Sequence, residues 1–284
     1  MIFECLIYAL FAGCLWHAVR RGRFYLFELV WAALYGFFLE WLTLKQLHAY
    51  HYGHFLIMID DAPLAIALGW AVTIYASMTF SSRLQLPEAG RPIVDALLAL
   101  NIDMALDTIA IRLGLWTWNG VSLDQQWFGV PWANFWAWFI VVWSFSGFIR
   151  ALRPWQNHRW RRWLYAPAAA FLSLLVLVSA SELYRLMPDN PDTGALAPLV
   201  LIVGSLVIVL DLHPGIVKSN LPEPIVIVVP VILHAFAIIA GICFGIYAKQ
   251  PVLALIGVVM LLVGILVHLL PWWVSHYRPQ QLEA

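Results

Sequence analysis

Asp103 and Asp107 stand four residues apart in an apolar run, so on a helix both carboxyls occupy one face. A carboxylate near mid-bilayer costs about 2.5–3.5 kcal/mol on insertion scales, which makes an acid kept there a functional candidate by default. Two carboxyls this close in a low dielectric cannot both carry charge, so one keeps a proton that it can donate near neutral pH. At about 1.5 Å per residue, Asp103 falls near the centre of its run and Asp107 about 6 Å toward one side. Glu40 and Asn134 fall about 9 Å toward that same side on their own runs. Four polar side chains on three segments therefore share one half of the membrane, a set suited to proton transfer and to placing a water. The plainer reading is that they hydrogen-bond neighbouring helices, but several acids at one depth exceed what helix association needs.

Other polar residues carry less. Glu28 and Asp95 lie near helix ends and read as snorkelling or as paired with Arg23 and Arg91. Asp60 and Asp61 precede Pro63, where they either cap the next helix or stand at the mouth of a site. Asn134 lies in Phe128-Gly129-Val130-Pro131-Trp132-Ala133-Asn134, with Pro131 well placed at a helix start; its amide either orients a water or carboxyl or bonds a nearby backbone. His48, His51 and His54 are spaced by three, whereas a metal site wants His at i and i+4 plus further ligands, so the triplet reads as an interfacial segment and no metal is expected. Cys5, Cys14 and Cys243 are isolated and read as small core hydrophobes.

Of the 16 Trp, 14 fall at or before Trp163. Interfacial belts account for part of the set. The other reading is that the set that includes Trp116, Trp118, Trp127, Trp132, Trp136, Trp138 and Trp143, concentrated on the helices that hold the acids, walls a cavity beside them. Flat aromatic walls would suit a long conjugated ligand, and their faces stabilise a carbocation.

The elements that must position these residues are transmembrane helices. Hydrophobic residues make up 63% of the 284, charged residues 11%, and mean hydropathy is +0.82. An average soluble domain is roughly 25% charged, and no soluble shape of this length hides so much apolar surface. Equal numbers of basic and acidic residues, 16 each, give no pull toward nucleic acid. Runs long enough to cross about 30 Å of hydrocarbon occur at 2–19, 24–44, 62–82, 93–113, 131–150, 164–181, 194–212, 224–247 and 250–270. The chain thus predicts an all-α polytopic bundle of about nine spans, with eight as the alternative. With the N-terminus outside and the C-terminus inside, 12 basic residues, Lys218 and Arg278 among them, face the cytoplasm and four (Lys45, Arg112, Arg185 and Lys249) face out. A single membrane domain over 1–284 is expected, its acid-bearing, Trp-rich half at 24–150 and its aliphatic half at 164–270.

Leu100-Asn101-Ile102-Asp103-Met104-Ala105-Leu106-Asp107, then Leu113-Gly114-Leu115-Trp116-Thr117-Trp118, then Phe128-Gly129-Val130-Pro131 leading to Asn134-Phe135 and Trp138, resemble the carotenoid biosynthesis membrane proteins that include the acyclic-carotenoid hydratases. Glu40, and Pro63 followed by Trp70, fit the same pattern, and the dense resemblance covers roughly 36–145. Thr108 and Ala137 depart from it, standing where the family pattern has Pro and Gly. The resemblance implies cofactor-independent hydration of the terminal C=C of an acyclic ψ end group to a tertiary alcohol. Asp103 and Asp107 would donate the proton, Glu40 and Asn134 place water, and Trp41, Trp70, Trp116, Trp118, Trp132, Trp138, Asp60 and Asp61 contact substrate. It also implies a bacterial or archaeal cytoplasmic membrane, a long isoprenoid substrate, and other carotenoid-pathway membrane enzymes as partners.

Three competing functions share some of these residues. An end-group cyclase begins with the same protonation. A prenyltransferase would need a fuller aspartate-rich motif than Asn101-x-Asp103-x3-Asp107 and a second one downstream. A proton-coupled transporter would use buried acids, but the unlike halves of the chain lack the repeats common in transporters.

Overall fold

Runs of about twenty apolar residues leave no backbone group a partner but its own helix, so each closes into α-helix. In the computed structural model, which describes residues 1–187, 191–212, 215–216 and 223–277, ten α-helices follow one another. They are α1 (Ile2–Arg21), α2 (Arg23–Leu47), α3 (Leu64–Ser81), α4 (Arg91–Arg112), α5 (Trp132–Leu152), α6 (Tyr165–Arg185), α7 (Pro191–Asp211), α8 (Pro224–Cys243), the short α9 (Ile246–Lys249) and α10 (Pro251–Tyr277). Eight of the long helices are apolar enough to span a membrane by length and composition. The ninth, α4, carries Asp95, Asp103 and Asp107 and packs against α3, α5, α8 and α10. A helix walled by other helices need not match lipid, which is how this one keeps three acids. The protein is an all-α polytopic membrane bundle, and Lys218 and Arg278 of the topology count lie outside the described residues.

Helices α3 and α4 form the buried centre, while α7 presents Leu199, Val200, Val203, Leu206 and Val207 outward. Gly36 brings α2 against α3: a Cβ there would sit 2.7 Å from Ala67 O and 2.7 Å from Trp70 Cβ. One turn beyond Gly36, the same approach carries Glu40 to the Trp70 indole. Cys14 is buried, but Cys5 and Cys243 are exposed on the helix exteriors, where a weakly polar thiol suits lipid as well as core.

Both acids expected near helix ends are paired, though with other partners. Asp95 bonds Arg150 at 3.1 Å and Glu28 bonds Arg153 at 2.9 Å, while Arg91 pairs with Glu88. The arginines of α5 and the turn after it reach these acids across the bundle. Sequence neighbours on the acids' own helices do not.

Three short two-stranded ribbons among the described residues were invisible in the hydropathy pattern, and one of them reaches the acids. Tyr50–Tyr52 pairs antiparallel with Trp116–Trp118, in the register Tyr50 to Trp118 and Tyr52 to Trp116. Asn119 N–H to Ala49 O (2.8 Å) and Gly53 N–H to Leu115 O (2.9 Å) extend the ribbon at its ends. Gly53 has no room for a side chain, since a Cβ would lie 2.3 Å from Gly114 O. Alternate residues of a strand share a face, so Tyr50, Tyr52, Trp116 and Trp118 all point one way. His51 and Thr117 point the other way and are exposed, and His51 bonds Asn119 at 3.1 Å.

Candidate active site

The helical spacing of Asp103 and Asp107 puts both carboxyls on the face of α4 that meets α5. Asn134 sits in the first turn of α5, whose N-cap is Pro131, and its amide spends both N–H groups on the pair. Nδ2 donates to Asp103 Oδ2 at 2.8 Å and to Asp107 Oδ2 at 2.9 Å. The remaining oxygen of Asp107, Oδ1, accepts from the Trp116 indole at 2.5 Å. The Trp118 N–H is buried beside the same carboxyl without closing a hydrogen bond.

Glu40 is held as fully. Its Oε1 accepts from Trp70 Nε1 at 2.7 Å, and its Oε2 from the phenols of Tyr50 at 2.5 Å and Tyr52 at 2.6 Å. Burial, then the carboxyl of Glu40, pushes both phenols well above the usual tyrosine range, so both stay donors at any ordinary pH. The ribbon's single aromatic face thus braces both acid groups, with tyrosines on Glu40 and a tryptophan on Asp107. Among the described residues no cation reaches ion-pairing distance of these three carboxyls.

Glu40, Asp103, Asp107 and Asn134, all buried, line one cavity of about 580 Å³. Trp70, Trp116, Trp118, Trp132 and Trp138 line it too, with Trp70 and Trp138 in contact at 4.1 Å between centroids. A volume of this size lies in the range that takes up a small organic molecule or one end of a long one. Its wall continues along Leu177, Ser181 and Tyr184 of α6 and Leu233 of α8.

Three residues expected to contact substrate lie elsewhere. Trp41, Asp60 and Asp61 are absent from the cavity wall and gather around Lys45, which reaches Asp60 at 3.0 Å and Asp61 at 2.6 Å, while the Trp41 indole donates to Asp60 at 3.0 Å. Lys45, then Trp41, holds the Asp60 carboxyl below its usual range. The two acids do not cap α3 either: Pro63 is the N-cap and accepts no side-chain role from them. The attraction of the last-turn lysine of α2 explains both departures.

Residues to which the sequence reading gave no role at the site complete it. Tyr50 and Tyr52 hold Glu40, and Arg112 fixes the connection that leads to Asn134 by donating to Phe128 O at 2.9 Å and Leu123 O at 2.9 Å. The signal for the tyrosines was the alternation Tyr50-x-Tyr52, matched by Trp116-x-Trp118. Among the described residues no three metal-ligating side chains converge.

The cluster can do one thing well. It presents carboxyl groups able to hold a transferable proton, fixed acceptor oxygens and aromatic rings to one cavity. The profile of the carotenoid biosynthesis protein family matches residues 1–190, which include every residue of the acid cluster. No curated protein and no solved structure matches the chain.

Proposed function

The chain belongs to the carotenoid biosynthesis protein family, and from that premise we propose that it hydrates the terminal C=C of an acyclic carotenoid end group to a tertiary alcohol. The observation that carries the reading is the pair Asp103 and Asp107, bridged by one amide and facing an aromatic cavity, with no cation among the described residues to neutralise it. An alkene is too weak a base for anything but a well-placed acid, and a tertiary cation needs nearby negative charge and ring faces. The Asp pair supplies the proton. Both oxygens of Glu40 are taken by indole and phenol donors, so in place of the water-positioning role expected of it Glu40 faces the developing cation with the Trp70 and Trp138 rings, and Asn134 places the water. Proton addition and water capture balance without electrons, so the reaction needs neither oxidant nor reductant.

The substrate is a long isoprenoid that reaches the cavity from the bilayer, and the enzymes that build and desaturate it in the same membrane are its working partners. The proposed setting is a bacterial or archaeal cytoplasmic membrane with the N-terminus out. A cysteine placed at Asp124 should then label from outside, and labelling from the cytoplasm would reverse the orientation.

Ring closure begins with the same protonation, so products separate the two. Expression in a bacterium that accumulates an acyclic carotenoid should yield a pigment heavier by one water. A cyclic isomer of unchanged mass would make the protein a cyclase, and unaltered pigment would remove the activity.

A further inference from the structure

Counting hydrogen bonds oxygen by oxygen separates the two aspartates. Both oxygens of Asp107 accept from nitrogen donors, Oδ1 from Trp116 and Oδ2 from Asn134. Both oxygens of Glu40 likewise accept, from Trp70 on one side and two tyrosines on the other. An indole N–H and an amide N–H can only donate, so an oxygen facing one of them cannot direct a proton along that contact. Asp103 differs. Its Oδ2 accepts from Asn134, but Oδ1 takes no hydrogen bond from any described residue and remains open to the cavity. Asn134 Oδ1 is in the same position, its N–H groups being committed to the two carboxyls.

We infer that the transferable proton sits on Oδ1 of Asp103, that Asp107 and Glu40 are its fixed ionised companions, and that Asn134 Oδ1 accepts a hydrogen bond from the attacking water. The assignment deepens the hydratase reading and rests on it for the reaction, though not for the proton's location. The step balances within the chain. The Asp103 O–H bond breaks as the π pair of the alkene forms a C–H bond at the less substituted carbon, leaving a tertiary cation next to it. The water held by Asn134 Oδ1 forms the C–O bond, and its released proton returns to the Asp103 carboxylate, restoring the starting state. Asp107 and Glu40 keep their donors throughout and supply the negative charge that the cation meets.

Infrared spectroscopy of the full-length protein in lipid nanodiscs, without carotenoid, tests the location directly. A protonated carboxyl has a C=O stretch distinct from a carboxylate and shifts in D₂O. The wild type should show such a band, Asp103→Asn should lose it, and Asp107→Asn should keep it. A band that survives Asp103→Asn and vanishes in Asp107→Asn would overturn the assignment. Should Asp103→Asn fail to accumulate, Asp107→Asn alone decides, with a kept band supporting the inference and a lost band refuting it. In cells making an acyclic carotenoid, Asp103→Asn should lower product by about 100-fold or more, and Asp103→Glu, which keeps a transferable proton, should recover part of it. If no alcohol forms even with the wild type, the hydratase reading fails while the band pattern still reports where the proton is.

Discussion

Helix α4 carries acids in two places, and their surroundings are opposite. Asp95 is fully buried and faces the guanidinium of Arg150 at 3.1 Å, with the Ser146 hydroxyl donating to the same oxygen. Arg150 in turn donates to Ser81 Oγ at 2.8 Å and Ser82 Oγ at 3.1 Å, tying α3, α4 and α5 together. About two turns along, Asp103 and Asp107 are also buried but, among the described residues, meet only neutral donors, and they open onto a cavity. A compensated buried charge is a structural fastening, and removing its partner strands a charge. An uncompensated pair gains nothing for the fold that neutral residues could not supply, which is the physical ground for proposing chemistry there.

Breaking each cluster in turn should give contrasting failures. Arg150→Met strands Asp95, and we expect a loss of about 3–5 kcal/mol, read as poor accumulation and a much lower unfolding temperature in detergent. Asp103→Asn should leave the unfolding temperature nearly unchanged while product formation falls by roughly 10²–10⁴-fold. If Asp103→Asn unfolded the protein and Arg150→Met did not, the two clusters would have to exchange roles.

The contrast sharpens at the ribbon. Tyr52→Phe removes one of three donors to Glu40, worth about 1.5 kcal/mol for a bond to a charged group, so turnover should drop roughly tenfold with the protein intact. A Tyr52→Phe enzyme of full activity would mean that Glu40 needs only Trp70 and Tyr50. The smallest effect belongs to the aliphatic side: Val203→Ala on α7 points away from the bundle and should change stability by less than about 0.5 kcal/mol, with turnover unaffected.

The helices and the acids were legible in the sequence because both follow from local rules. Apolar runs of about twenty residues mark spans, and the spans read at 2–19, 93–113 and 131–150 correspond to Ile2–Arg21, Arg91–Arg112 and Trp132–Leu152. The i, i+4 spacing likewise put Asp103 and Asp107 on one face, and the depth count brought Glu40 and Asn134 into their cavity. The ribbon was not legible, since three-residue strands carry too little periodicity and their register joins position 50 to position 118. The partners of Asp95 and Glu28 were missed for the same reason: Arg150 and Arg153 are distant in sequence. Asp60 and Asp61 show the converse, being the right residue type near the right boundary but drawn outward by Lys45.

The central claim is that protonation and capture of water, rather than oxygenation, make the product. Cells expressing the protein with an acyclic carotenoid, supplied with heavy-oxygen water under anaerobic conditions, test it most directly. The account predicts a hydroxylated pigment carrying the heavy isotope and formed without O₂. A hydroxyl labelled from heavy O₂ and absent under anaerobic conditions would contradict it.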